Sequence, residues 1–295
     1  MKNNNLFNWF IFIVLSITWG SSFILMKKGL VSLSAYQVAS LRVISAGLIL
    51  LPVAIIHFHK VPKNKLATIF LSGILGSLFP AYLFCLAEEQ IDSALAGTLN
   101  ALTPVFVIIM GAIFFKRQTA SIKIIGICIS FAGSILLFFA QPGFRQNSNI
   151  INVLYVVIAT LFYGINVNMV NKYLNDIQSI HIAALALVFN AIPATIVLYF
   201  TGYFNEAILS KPILIATGYT FLLGILGTAA ASILFYMLLK RAGVVFSSMV
   251  TYAIPIVAVM WGIIYGETIG WKQLVCLLII LFGVYVANRS RKPIN

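Results

Sequence analysis

Residues 73–76 read Gly-Ile-Leu-Gly, and the same four residues recur at 224–227, 151 positions later. That offset also carries Leu83-Phe84 onto Leu234-Phe235, Pro104 onto Pro255 and Gly111 onto Gly262. An offset of 144 carries Trp19-Gly20 onto Tyr163-Gly164 and Lys28 onto Lys172. The chain is therefore a tandem of two related halves. Nearly everything between the matched residues is apolar. A duplicated apolar chain must bury one shared plan twice, so each residue of interest can be checked against its counterpart.

Composition fixes the solvent. Hydrophobic residues make up 61% of the chain and charged residues 8%. A soluble domain carries about 25% charged residues, so this chain belongs in a bilayer. A span needs about 20 mostly apolar residues. Reading between charges predicts ten: 7–26, 36–57, 66–87, 94–115, 122–140, 149–169, 181–201, 213–238, 244–265 and 272–288. Segments of this length close their backbone hydrogen bonds within lipid only as helices, and the period-2 alternation of a barrel is absent. The first run, after Lys2, is too long for a signal peptide and has no cleavage site. The expected architecture is all-α and integral to the membrane, with ten transmembrane helices in two inverted five-helix repeats. The first repeat covers 1–140, a linker 141–148, and the second repeat 149–295.

Charge placement gives direction. The net charge of +13 sits in short loops, with no aromatic-basic surface for nucleic acid. With the N-terminus inside, inner segments hold 13 Lys and Arg and outer segments 5, which predicts both termini in the cytoplasm. Five helices per half is odd, so the second half enters the membrane inverted. Glu88 to Asp92 is then an outward loop. Cys85, Cys128 and Cys276 have no metal-ligand spacing and read as small buried apolar residues. No cofactor or metal is expected, and no enzyme constellation of paired acids or Ser/His is present at membrane depth.

Polar residues inside spans point to a pathway, because lipid tolerates them only where they face protein or water. In the fourth span Gly97, Asn100 and Pro104 share one helical face. Their counterparts in the ninth are Ser248, Thr251 and Pro255. Each proline denies a donor to the carbonyl four residues earlier, that of Asn100 or Thr251, so each break predicts a freed acceptor. Pro104 and Pro255 are the candidate helix-break and gating residues. Trp19 and Ser22 of the first span match Tyr163 and Asn166 of the sixth. Each pair makes one aromatic-plus-polar stripe, which suits either a solute pathway or, for the rings, the interfacial aromatic belt. Tyr82 and Tyr236 complete the candidate substrate-binding set of Trp19, Ser22, Tyr82, Asn100, Tyr163, Asn166, Tyr236 and Thr251. Gly73 with Ser77, and Gly224 with Thr228, read as small-xxx-small packing pairs. Arg42 lies two turns inside its span. It either snorkels to the outer interface or captures an anionic solute group.

Ten helices in two repeats, WGSSF at 19–23, Arg42 in the second span and FYMLLKRAGVVFSSMVTYAIPIVAVMWGIIYGE at 235–267 together resemble the EamA-type branch of the drug/metabolite transporter superfamily. The first half departs from the second where Glu89-Gln90 stand in place of Lys240-Arg241, and Lys116 in place of Glu267. The resemblance implies a pathway lined by the first, third, fourth, sixth, eighth and ninth helices. It also implies a carrier, commonly an exporter of amino acids and related metabolites from the cytoplasmic membrane. The residues and the resemblance together predict export of a small neutral or zwitterionic, amino-acid-like solute by alternating access, through a monomer or weak homodimer. The rival reading is a flippase for a lipid-linked metabolite.

Overall fold

The computed structural model describes residues 2–91, 93–140, 150–205, 208–264 and 270–288. The expected linker, Asp92, Glu206 and Glu267 lie outside the described residues. Among those described there is no strand. Helices α1 (Lys2–Leu30) and α2 (Ala35–His57) form the first two spans. The third is α3 (Lys63–Gly73), a π-helical segment (Ile74–Leu78) and α4 (Phe79–Glu88). The fourth is α5 (Ser93–Asn100) and α6 (Thr103–Phe115), and the fifth is α7 (Ser121–Phe139). Then α8 (Ile150–Tyr173) and α9 (Ser179–Phe200) form the sixth and seventh. The eighth is α10 (Lys211–Leu222), a π-helical segment (Leu223–Ala230) and the first part of α11 (Ala231–Ser248). A 3-10 segment (Met249–Ala253) and α12 (Ile254–Ile264) continue into the ninth, and α13 (Trp271–Asn288) is the tenth.

Among the described residues seven helical stretches are long and apolar enough to cross a membrane, and α7 and α13 add two shorter apolar helices. One of the seven, Lys211–Val257, runs for 47 residues. That is about 70 Å of helix, more than twice a hydrocarbon core. It turns at Gly243, whose φ of 84° and ψ of 170° are open to glycine and costly for residues with a β-carbon. The long stretch therefore serves as two spans. Polarity is turned outward-in. Ile13, Ile17, Ile55, Phe139, Leu278 and Phe282 are exposed, whereas Ser16, Ser45, Ser130, Thr160 and Asn190 are buried. Hydroxyl groups return their protons to the preceding turn, as Ser16 does to the Phe12 carbonyl at 2.7 Å.

The halves pack by exchange of equivalent contacts. The two most extensive helix pairings join α2 to α9 and α7 to α13, each a span with its own repeat partner. A β-carbon added at Gly20 would lie 2.6 Å from the Val257 β-carbon, and one at Gly164 would lie 2.8 Å from the Phe106 carbonyl carbon. Offsets of 144 and 151 convert one contact into the other. The same offsets convert Gly227 against Ser22 into Gly76 against Asn166, and Gly224 against the Arg42 carbonyl into Gly73 against the Ala186 carbonyl. Contacts that swap between halves define a two-fold relation. With an odd number of spans per half, such an axis lies in the membrane plane. Small residues make the crossings possible, because lipid supplies no hydrophobic drive and helices must meet closely to gain contact. Thus Gly126 and Gly283 face each other's carbonyls, each with its β-carbon position 2.6 Å away, and Ser130 donates to the Ile280 carbonyl at 3.1 Å.

The Glu88 end of the third span is more ordered than a loop. Glu88 is the last residue of α4 and fully buried, and the Lys27 ammonium donates to its backbone carbonyl at 2.9 Å. Glu89 extends beyond it and accepts from the Ala35 amide at 2.8 Å, placing an anion at the start of α2. Ser34 and Gln37 close the same helix start as a capping box. The expected outward loop at 88 therefore begins one residue later. Cys128, expected to be buried, is exposed on α7.

Candidate functional site

Each half carries a π-helical segment on its Gly-Ile-Leu-Gly motif, at Ile74–Leu78 and Leu223–Ala230. A π turn inserts one residue into an α-helix, rotates the side chains that follow and loosens the backbone ladder. Here it points Gly76 and Ser77, and their counterparts Gly227 and Thr228, into one cavity. The fourth and ninth spans are irregular at matched places too. The fourth breaks between Asn100 and Thr103, with Pro104 opening α6. The ninth tightens to 3-10 geometry over Met249–Ala253, ahead of Pro255. Four irregular segments thus flank one cavity, partly continuous with the outside.

The cavity brings together Trp19, Ser22, Asn100, Tyr163, Asn166, Tyr236 and Thr251. Tyr82 is not among the lining residues. Its hydroxyl lies 2.7 Å from that of Ser40, and its ring packs beside Tyr36. Pro104 and Pro255 are not among the lining residues, but each directly follows one that is, Thr103 and Ile254. The first, third, fourth, sixth, eighth and ninth spans all contribute, and α2 adds Arg42.

Bonding within the site is asymmetric. The Trp19 indole donates to the Gly227 carbonyl at 3.0 Å, inside the π segment, and its ring packs 5.3 Å from Phe235. Tyr163 stacks on Phe84 with centroids 6.2 Å apart. The Thr103 hydroxyl donates to Asn100 Oδ1 at 3.0 Å. Asn166 Nδ2 reaches the Tyr236 hydroxyl at 3.4 Å, a long contact, while its buried Oδ1 has no protein partner. Two expectations change. The Thr251 carbonyl is not freed by Pro255, because the Ile254 amide donates to it in the 3-10 turn. Arg42 does not snorkel outward: its Nε donates to Thr228 Oγ1 of the other half at 2.7 Å, and its side chain lines the cavity. Asn168, near the C-terminal end of its span, braces α8 against the fourth span by donating to the Val107 carbonyl at 2.8 Å.

Thr103, Ser77, Thr228 and Ser232 also line the cavity, beyond the candidate substrate-binding set read from the sequence. Ser77 and Thr228 were within reach, since the 151-residue offset pairs them as polar neighbours of matched glycines. What hid them was the π turn, which redirects a face that α-helical spacing assigns to packing. Among the described residues no cluster of His, Cys, Asp or Glu is arranged to hold a metal ion.

Residues 7–139 and 150–289 each match the model of the EamA-like transporter family. An "Uncharacterized transporter" of Archaeoglobus fulgidus is 29% identical over 95% of this chain and 99% of its own length. An "Uncharacterized inner membrane transporter YedA" of Escherichia coli K12 is 25% identical over 94% of this chain and 89% of its own. "Protein PagO" of Salmonella typhimurium is 22% identical over 95% of this chain and 92% of its own. A solved crystal structure superposes with a TM-score of 0.70, covering 94% of this chain and 95% of that one. At 14% identity it shows the shared fold alone.

Proposed function

We propose, because this chain belongs to the EamA-like transporter family, that it carries a small neutral or zwitterionic metabolite across the cytoplasmic membrane by alternating access. The observation that carries this reading is a cavity to which both halves contribute matched residues: polar Ser22 with Asn166 and Ser77 with Thr228, and small Gly76 with Gly227. A two-fold arrangement around one site has two equivalent ways to tilt, one opening to each side. Its walls combine rings with amides and hydroxyls and contain no acid, lysine or histidine among the described residues. Such a lining suits an amino-acid-like solute with an apolar part and suits a di-cation poorly. Export follows the family resemblance.

The orientation with both termini in the cytoplasm rests on the charge bias, and contacts between helix ends agree with its grouping of segments by side. Lys65 pairs with Asp176 at 3.2 Å, and Arg241 Nε donates to Asn8 at 3.0 Å. His57 stacks on His181 at 4.7 Å. All six belong to segments that the charge bias assigns inside. The Lys65 ammonium also holds the exposed Asp176 carboxyl below the usual carboxylate range. Lys27 with Glu88, and Glu89 with Ala35, join segments assigned outside.

Metabolite profiling of medium and cytosol, with and without overexpression, tests the reading. One zwitterionic or neutral metabolite should rise in the medium. Asn100→Leu and Thr251→Val should each remove most of that rise at equal amounts of folded protein. No change in any metabolite, or unaltered export by both variants, would count against it.

A further inference from the structure

Arg42 is the only ionisable group other than tyrosine in the cavity wall among the described residues. It is half-buried at membrane depth, and its one protein partner there is neutral: Nε donates to Thr228 Oγ1 at 2.7 Å. Among the described residues no carboxylate lies within ion-pair distance of it. The buried Glu88 acts on it through space but not in contact. A cation held at depth with no carboxylate in contact is costly, and such residues mark solute or ion pathways. With Nε fixed by Thr228, the terminal nitrogens retain the planar donor pair that matches a carboxylate.

The duplication shows that packing does not require this charge. Gly224 of the eighth span closes on the Arg42 carbonyl, and in the other half Gly73 closes on the Ala186 carbonyl. The offset of 144 makes Ala186 the counterpart of Arg42. One helix crossing is thus built twice, once with alanine and once with arginine. The guanidinium is an addition to the fold, and it faces the cavity. The same cavity holds a complementary acceptor. Asn166 is 3% exposed, its Oδ1 has no protein partner, and it stands beside the rings of the lining.

On the carrier reading above, we infer that Arg42, oriented by Thr228, anchors a carboxylate of the solute, while Asn166 Oδ1 accepts from its ammonium group. The substrate class is then a zwitterion with one carboxylate. Amines, amides and sugars lack the group that Arg42 pairs. A phosphate dianion carries more charge than one guanidinium neutralises. Thr228 is a positioning residue in this scheme, since it acts through Arg42.

The test is counterflow in liposomes containing the purified full chain. The probes are the common amino acids, their carboxamides, their N-acetyl derivatives and the decarboxylated amines. At least one free amino acid should exchange, and its amide should exchange far more weakly. Arg42→Gln should lower affinity for the acid by about tenfold or more, as loss of a charge-assisted pair implies. It should leave the amide nearly unchanged, so that the preference for acid over amide collapses. Arg42→Lys should keep part of that preference. Thr228→Val should weaken the acid several-fold and spare the amide, which provides the readout if Arg42→Gln does not fold. Asn166→Leu should weaken the free amino acid more than its N-acetyl form.

Equal exchange of acid and amide by the wild-type protein would overturn the anchor and leave the carrier standing. So would a preference that survives in Arg42→Gln. Stronger competition by phosphate monoesters than by carboxylates would overturn the carboxylate assignment and favour a lipid-linked headgroup. Exchange of none of the probes would count against the carrier reading itself, and the anchor would fall with it.

Discussion

Trp19 shows what one side chain does in this site. Its indole N–H is committed to the Gly227 carbonyl, and its ring meets Phe235, so it ties α1 to the π segment of the eighth span. From sequence alone its position two-thirds along a span fitted a pathway or an interfacial belt equally well. The structure gives it a cavity-lining position, and Tyr163, its counterpart, lines the same space. Trp19→Ala should therefore weaken solutes with large apolar groups more than small ones. An aromatic contact is worth about 1 kcal/mol beyond its area, enough for a several-fold change in affinity. Competition assays across a size series of solutes check this, and an unchanged ranking with reduced yield alone would return Trp19 to the belt. Arg42 was less legible. Sequence gave its depth, but whether a long side chain turns outward or inward depends on its neighbours. Here the inward partner, Thr228, comes from the other half of the chain.

The helices themselves were legible because lipid allows few alternatives. Apolar runs of span length become helices, and Pro104 and Pro255 announce where two of them change geometry. The π segments were not legible, because one inserted residue changes neither hydropathy nor composition. Their only trace is the repeated Gly-Ile-Leu-Gly, which α-helical spacing assigns to packing. Glycines that meet a neighbouring helix and glycines that face open space can now be separated. A β-carbon at Gly126 would meet the Gly283 carbonyl at 2.6 Å, whereas one at Gly218 would meet nothing within 4 Å. Gly126→Ala should then destabilise by about 1–3 kcal/mol through overpacking. Gly218→Ala should stabilise by up to about 1 kcal/mol, because alanine loses less backbone freedom in a helix. Thermal unfolding midpoints of the two purified variants in detergent check the opposite signs. Equal effects would mean that the α7–α13 crossing is looser than described.

At the scale of the molecule, the duplication is both the clearest sequence signal and the organising fact of the structure. Offsets of 144 and 151 predict which glycine meets which neighbour across the halves, and the contacts obey them. The cavity departs from that symmetry chiefly in its chemistry, with Arg42 where the other half has Ala186. On the proposed reading, a symmetric frame supplies two equivalent tilts, and an asymmetric lining supplies selectivity. The central claim, that one site opens in turn to each side, is tested most directly by accessibility. The native Cys85, Cys128 and Cys276 are first removed, and a single cysteine is placed at Ser22 or at Ser248, one from each half of the lining. An impermeant thiol reagent is then applied to right-side-out and to inside-out vesicles. The account predicts that both positions react from both sides and that an exchanged solute protects them from both. Reaction from one side only, or from neither, in a protein that still transports would contradict it.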